Sequence, residues 1–213
     1  GNKGNDSFVF ASAVNSSTVY GGSTADTTDD GSDSLSFAGE VSKSVVKGNA
    51  GNDTINFSQG TVDLKRSSVY AGAGTDFVST DGAVNTSYLA GNKGADTIVI
   101  GGATNETTLY GSGAGVSTDD GSDSLHFQGT VASSTLQGNG GNDTFKFVAN
   151  VSNSSVKGGA AKDNIAGLGL SASQVYGNVG ADTINFSGGV TSATILGGGG
   201  STDSGADSIV VGG

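Results

Sequence analysis

The chain has no cysteine, proline, methionine or tryptophan, and one histidine, His126, in 213 residues. Each absence removes a class of explanation. Without cysteine there is no disulfide frame and no thiol nucleophile, and soft-metal ligands reduce to that one imidazole. A Ser/His/Asp set has no support around an isolated histidine, so an enzyme is not expected. Basic residues are also scarce: 9 Lys and Arg against 20 Asp and Glu give a formal net charge of -11. Such a balance argues against nucleic acid or an anionic membrane as partner. No apolar run is long enough to cross a bilayer, so membrane insertion is not expected either. The missing proline suits a parallel ladder in which every backbone N–H serves the next strand.

Glycine is abundant, 39 of 213 residues, and Ser, Thr and Asn accompany it. That composition alone would suggest disorder. A repeat overrides it. The phrase returns nine to ten times, most clearly as GNKGNDSFVF (1–10), GNAGNDTINF (48–57), GNKGADTIVI (91–100), GNGGNDTFKF (138–147) and GNVGADTINF (177–186). A phrase repeated at a near-fixed interval means one small unit stacked on copies of itself.

The aspartates mark the register. Asp6, Asp33, Asp53, Asp76, Asp96, Asp123, Asp143, Asp163, Asp182 and Asp207 lie 27, 20, 23, 20, 27, 20, 20, 19 and 25 residues apart. Counted from each Asp, apolar residues fall at +2 (Phe8, Ile55, Phe145), +4 (Phe10, Phe57, Ile100), +8 (Val14, Val41, Val84) and near +13 (Val19, Val69, Leu109). Apolar residues two apart, flanked by Thr, Ser or Asn, are the signature of a strand with one buried face. Nowhere do they recur at helical spacing. Each repeat reads as two or three short strands, with glycines supplying positive φ at the corners. The expected fold is an all-β, parallel β-solenoid of about ten coils of roughly 20 residues, with a thin core of stacked Ile, Val, Leu and Phe. Residues 1–213 are expected to form a single continuous repeat domain, a segment of a longer protein.

The acids occupy one repeating position. In a solenoid, equivalent residues of adjacent coils lie about 4.8 Å apart. Neighbouring carboxylates at that distance repel by roughly 0.9 kcal/mol in water and about 3.5 kcal/mol at an effective dielectric of 20. Lys and Arg are too few to neutralise such a column. A divalent cation between coils would turn repulsion into ligation, and Ca²⁺ accepts carboxylates and the carbonyls of Gly-rich turns together. The candidate ligands are Asp6, Asp33, Asp53, Asp76, Asp96, Asp123, Asp143, Asp182 and Asp207. Asp163 stands apart, because Lys162 beside it offers a local cation. The alternative is that each Asp caps its own turn by accepting backbone N–H bonds, without metal. Both remain open at this point.

The phrase resembles the hemolysin-type calcium-binding (RTX) nonapeptide, Gly-Gly-x-Gly-x-Asp-x-aliphatic-x, with Asn in place of the second Gly. Gly48, Gly51, Asp53 and Ile55 carry the match, as do Gly138, Gly141, Asp143 and Phe145, and Gly177, Gly180, Asp182 and Ile184. The resemblance implies a secreted bacterial protein whose repeats form a parallel β-roll with Ca²⁺ in the turns. It spans the chain but only half of each coil. The other half, such as Val14 to Tyr20, has no Gly-x-Asp. One calcium row along one edge is therefore expected, with Ser and Asn hydrogen bonds holding the opposite edge.

A longer period is also present. Insertions precede Asp33, Asp123 and Asp207 and bring extra acids: Asp29 and Asp30, Asp119 and Asp120, and Asp203. These loops are expected to form denser cation sites or lateral contacts, or else are solvated turn expansions. Tyr20, Tyr70, Tyr110 and Tyr176 follow the +13 aliphatic and point outward, flanking the turn or touching a glycan or a neighbouring fibre. His126 reads as a lone surface histidine, and Lys65 and Arg66 fall in a three-residue expansion with no evident partner. Phe77, His126 and Lys146 make the outward positions too irregular for an ice-binding array.

Two functional classes follow. One is a structural, calcium-binding repeat module of a secreted bacterial surface protein, extracellular at the cell surface, in a surface layer or adhesin stalk. Its partners would be calcium ions, copies of itself or neighbouring domains. The other is a metal-independent rod or spacer in a bacterial or viral fibre.

Overall fold

The computed structural model describes residues 1, 3–23, 30–58, 61–113, 121–199, 203 and 205–213. Among them the chain winds through three parallel sheets, one of ten strands and two of nine. The first coil supplies β1 (Ser7–Phe10), β2 (Val14–Asn15) and β3 (Thr18–Tyr20), and the second β4 (Ser34–Phe37), β5 (Val41–Ser42) and β6 (Val45–Ala50). Each strand lies in register on its counterpart one coil earlier: β4 on β1, β5 on β2, β6 on β3. The pattern continues to the last strand, Ser208–Val211. The expected parallel β-solenoid is therefore what forms. Three faces, and hence three corners, replace the two edges that the nonapeptide resemblance implied.

The inward columns are those the spacing marked. Leu35, Ile55, Ile98, Leu125 and Phe145 at +2 are buried, as are Val46, Val69, Leu109 and Val175 near +13. At +4, Phe10, Phe37 and Phe57 stack with ring centroids 4.7 and 4.8 Å apart. Exceptions to the apolar rule are informative. Thr80 takes the +4 place and donates its hydroxyl to the Val62 carbonyl at 3.1 Å. Gly167 also takes it, and a Cβ there would lie 2.7 Å from the Phe186 ring, which fills the gap. The expansion before Leu64 only delays the register, since Leu64 still pairs with Val41 and Val84.

Corner chemistry departs from expectation. Between the second and third sheets the turning residue has positive φ but is not glycine: Ser16, Lys43, Arg66, Thr86, Glu106 and Ser133 all lie near +50°. The phrase's Asn49, Asn92, Asn139 and Asn178 likewise have φ of 79–86°, a region Asn tolerates better than most residues. This explains Asn where the nonapeptide has a second Gly. Gly94 is a true requirement: its φ is +108°, and an added Cβ would lie 1.8 Å from the Gly74 carbonyl oxygen. Gly94→Ala is expected to cost about 2–4 kcal/mol in chemical denaturation. A loss below about 0.5 kcal/mol would show that the corner relaxes freely.

Candidate functional site: the aspartate ladder

The Asp column forms a continuous ladder at the corner leading into the first sheet. The backbone N–H of each Asp donates to Oδ1 of the next coil's Asp. The nine steps, from Asp6 to Asp33 and on to Asp182 and Asp207, measure 2.7–2.9 Å. The interior rungs, from Asp33 to Asp182, are only 1–2% exposed. Asp6 and Asp207, at the ends, are more open. Asp163, set apart in the sequence because of Lys162, is a full rung: it accepts the Asp143 N–H at 2.8 Å. Successive residues of an extended chain point to opposite faces, so Lys162 is exposed while Asp163 is inside.

The second carboxylate oxygen has a different environment. Oδ2 of Asp33, Asp53, Asp76, Asp163 and Asp182 is buried and has no hydrogen-bond partner. At Asp53, Asp163 and Asp182 it faces the glycine that opens the phrase, five residues earlier, whereas Asp33 Oδ2 faces Gly21. An added Cβ on Gly48 would lie 2.2 Å from both Asp53 Oδ2 and the Ala71 carbonyl oxygen; on Gly177, 2.3 Å from both Asp182 Oδ2 and the Gly197 carbonyl oxygen. A carboxylate oxygen and the next coil's carbonyl thus converge where a side chain is missing. Neither Gly48 nor Gly177 has positive φ, so this glycine supplies room rather than backbone freedom. Ala71 takes the place in one coil, fully buried, and the Asp53 N–H still reaches Asp76 Oδ1 at 2.7 Å.

Burial sets the electrostatics. Desolvation, only partly offset by the accepted N–H, pushes the Asp53 carboxyl up to about 7, Asp76 to about 6 and Asp163 to about 8. Asp33 and Asp182 are raised by the same cause. Neighbouring carboxylates add to the rise at Asp53 and Asp163. A neutral carboxyl can donate from Oδ2 while Oδ1 accepts, which suits an oxygen lying near a carbonyl.

A second ladder holds the corner between the second and third sheets. The Ser44 hydroxyl donates to the Ser42 carbonyl at 2.8 Å and accepts the Ser17 N–H at 3.2 Å. Ser67, Ser87, Thr107, Ser134 and Ser154 repeat both bonds. The expected serine and asparagine hydrogen bonding away from the aspartate edge is here mainly a serine and threonine row, with one asparagine pair beside it, Asn105 Nδ2 donating to Asn85 Oδ1 at 2.9 Å. The row's signal was a Ser or Thr directly after the positive-φ residue of this corner, from Ser17 to Ser173 and replaced by Ala193 only after Ser192, a position the apolar count passes over.

The insertions enter at the aspartate corner. Asp29, Asp119 and Asp120 lie outside the described residues. Asp30 pairs in a bridge with Gly4, and both of its carboxylate oxygens are buried without a partner. Asp203 Oδ1 accepts the Gly180 and Gly205 N–H groups at 3.2 and 3.1 Å, as a turn cap does. Lys65, read as unpartnered, donates to Glu40 at 2.6 Å and also approaches Asp63 at 3.3 Å. Glu40 lies on the neighbouring coil, 25 residues away, where sequence distance hides it, while Asp63 is two residues from Lys65 in the expansion itself. His126 is half-buried between Val99 and Lys146 on the first sheet, with Nε2 buried and without a partner.

The ladder's oxygens could coordinate ions. The donors that converge are one carboxylate oxygen and one carbonyl per corner, whereas Ca²⁺ takes six to eight oxygens. Among the described residues no group of three or more His, Asp or Glu side chains gathers as a metal site. The donor set therefore suits an ion held by few oxygens better than a full calcium shell. No protein family, no curated protein and no solved structure matches the chain. What stands established is a parallel β-solenoid with a buried aspartate ladder.

Proposed function

We propose that this chain is a non-catalytic structural rod, a stacked module of an exported cell-surface protein of the surface-layer or adhesin-stalk kind. In this reading the corner aspartates are carboxyl caps that fasten each coil to the next. The observation that carries it is the uninterrupted run of nine Asp N–H to Oδ1 bonds, one at every coil step. An identical rung in every coil serves mechanical continuity, whereas a catalytic centre occurs once. Cysteine-free, acidic repeat composition and the likeness to the RTX phrase support the exported location.

A second reading is favoured by the buried Oδ2 atoms of Asp33, Asp53, Asp76, Asp163 and Asp182. Here cations along the column, with the Ca²⁺ of the sequence resemblance as the first to test although each corner offers few oxygens, stabilise the fold by binding only the folded state. Far-UV circular dichroism and melting in EDTA, Ca²⁺ and Mg²⁺ separate the two. Carboxyl caps give the same β spectrum throughout and midpoints within about 2 °C of one another. A coil-to-β transition on adding Ca²⁺, or a calcium-specific rise of about 10 °C or more, would instead establish the cation column.

A further inference from the structure

All five tyrosines of the chain lie on one face. Tyr20, Tyr70, Tyr88, Tyr110 and Tyr176 belong to the third sheet, and all nine phenylalanines belong to the first. Among the described residues no Asp or Glu falls in a third-sheet strand. Four of the tyrosines occupy one repeat position, directly after the +13 aliphatic, which in-register stacking places on a single outward face. An aromatic column on an acid-poor face is a candidate contact surface.

The rings are placed in order. The Lys47 ammonium lies 5.8 Å from the Tyr20 centroid and 5.4 Å from that of Tyr70. Tyr88 sits 5.3 Å from Tyr70 and 5.7 Å from Tyr110. It bridges the step at which Ala90, 1% exposed, stands in the tyrosine column. A half-buried strip of four tyrosines, with Lys47 between Tyr20 and Tyr70, therefore runs over five coils. Two grooves open on this face, one on the strip and one beyond Gln137 at Tyr176: the first of about 270 Å³ at Lys47, Asn49, Tyr70 and Asn92, the second of about 560 Å³ at Lys157, Gln174, Tyr176 and Asn178. Each places a Lys opposite the Tyr of the following coil, Lys47 beside Tyr70 and Lys157 beside Tyr176. Five coils at about 4.8 Å separate them by roughly 24 Å.

We infer that the outer face of the third sheet binds an extended, uncharged polysaccharide lying along the solenoid axis. Pyranose C–H faces rest on flat aromatic rings, which supply contact area with little entropy to lose. Asn and Gln amides and the Lys ammonium supply donors for hydroxyls, and the amides also accept from them. The rise per coil is close to the advance of one sugar in an extended chain, so a polymer keeps step with the strip and spans both grooves. The overall charge of -11 opposes a polyanion, while Lys47 and Lys157 on the face itself make polygalacturonate the necessary control. Lys47 is already held over two rings and is not presented as an anion site. This inference goes beyond the rod reading and does not depend on whether the aspartates hold ions.

The chain reports on the face directly. With no tryptophan, emission excited in the tyrosine band, beyond phenylalanine absorption, comes from these five tyrosines. Titration with soluble mixed-linkage β-glucan, xylan and galactomannan, against polygalacturonate, should give a saturable tyrosine signal with at least one neutral polymer. Retention in gels cast with that polymer should follow. Tyr70→Ala and Tyr176→Ala should each weaken binding about tenfold, and the pair more than either, since the grooves act on one chain. Far-UV spectra should not change, because both side chains project outward. No saturable response to any neutral polymer, or a response to polygalacturonate alone, overturns the assignment. A tyrosine signal that tracks protein concentration, with a dimer in sedimentation, also overturns it and assigns the face to a second copy of the chain.

Discussion

Melting is expected at a lower temperature near pH 9 than near pH 5, the reverse of a protein stabilised by ionised carboxylates. Burial raises Asp53 to about 7, Asp76 to about 6 and Asp163 to about 8 from an ordinary value of 3.8. Between that value and the raised ones, the folded chain retains protons that the unfolded chain has released. The stabilisation is thus full below about pH 4, declines as pH rises through the window, and is gone above about pH 8. Asp76 alone represents on the order of 3 kcal/mol. The triple variant D53N/D76N/D163N should flatten the profile. Asparagine keeps an oxygen to accept the N–H from the preceding coil and places an amide donor where Oδ2 faces a carbonyl. At about pH 9 the variant should melt above the parent. Asp53→Ala should instead cost about 2–4 kcal/mol at any pH, because it strips the acceptor from the buried Asp33 N–H and leaves a void. If the parent gained stability with rising pH, or the asparagine variant lost it throughout, the ladder would be charged and ion-compensated. A neutral carboxyl row would then be untenable.

Phe57→Ala is expected to lower stability by about 3–5 kcal/mol. Phe57 is fully buried and stacks on Phe37 at 4.8 Å. The backbone around it is held to adjacent coils by in-register ladders, so the void cannot close by moving one strand. Phe10 makes the same kind of stack at the outer coil but is half-exposed. Phe10→Ala should cost about half as much or less. Urea titrations of both variants measure the difference. Equal losses would mean that interior and terminal coils are coupled into one cooperative unit rather than through neighbour contacts alone.

Much of this architecture could be read directly from spacing. The aspartate interval, the paired apolar positions at +2 and +4, and the absence of proline were sufficient for a parallel stack. The +8 and +13 columns separate the second and third faces, although Thr104 and Leu64 interrupt the +8 pattern. Thr104 is fully buried in that column, and Leu64 reaches it three residues late. Neither departure disturbs the register, because parallel pairing is fixed by coils above and below.

The role of the opening glycine was not legible. Gly48 and Gly177 look like turn residues, yet their φ is ordinary and their missing side chain makes space for a carboxylate. Composition cannot distinguish those two uses. Tyr88 was also missed as a member of the aromatic strip, because it stands two residues before its column and joins it only through ring contacts with Tyr70 and Tyr110.

The amino-acid sequence by itself determined that the chain stacks, in what register, and which residues line the core, since periodic burial is a one-dimensional property. Only the tertiary structure decided that the aspartates point inward, that Oδ1 is taken by a neighbouring N–H while Oδ2 meets a glycine, and that every tyrosine shares one face. Those facts depend on how corners turn the chain in three dimensions. Two residues separated by a full coil in sequence become neighbours at a single strand spacing, and the chemistry of the ladder arises at that contact.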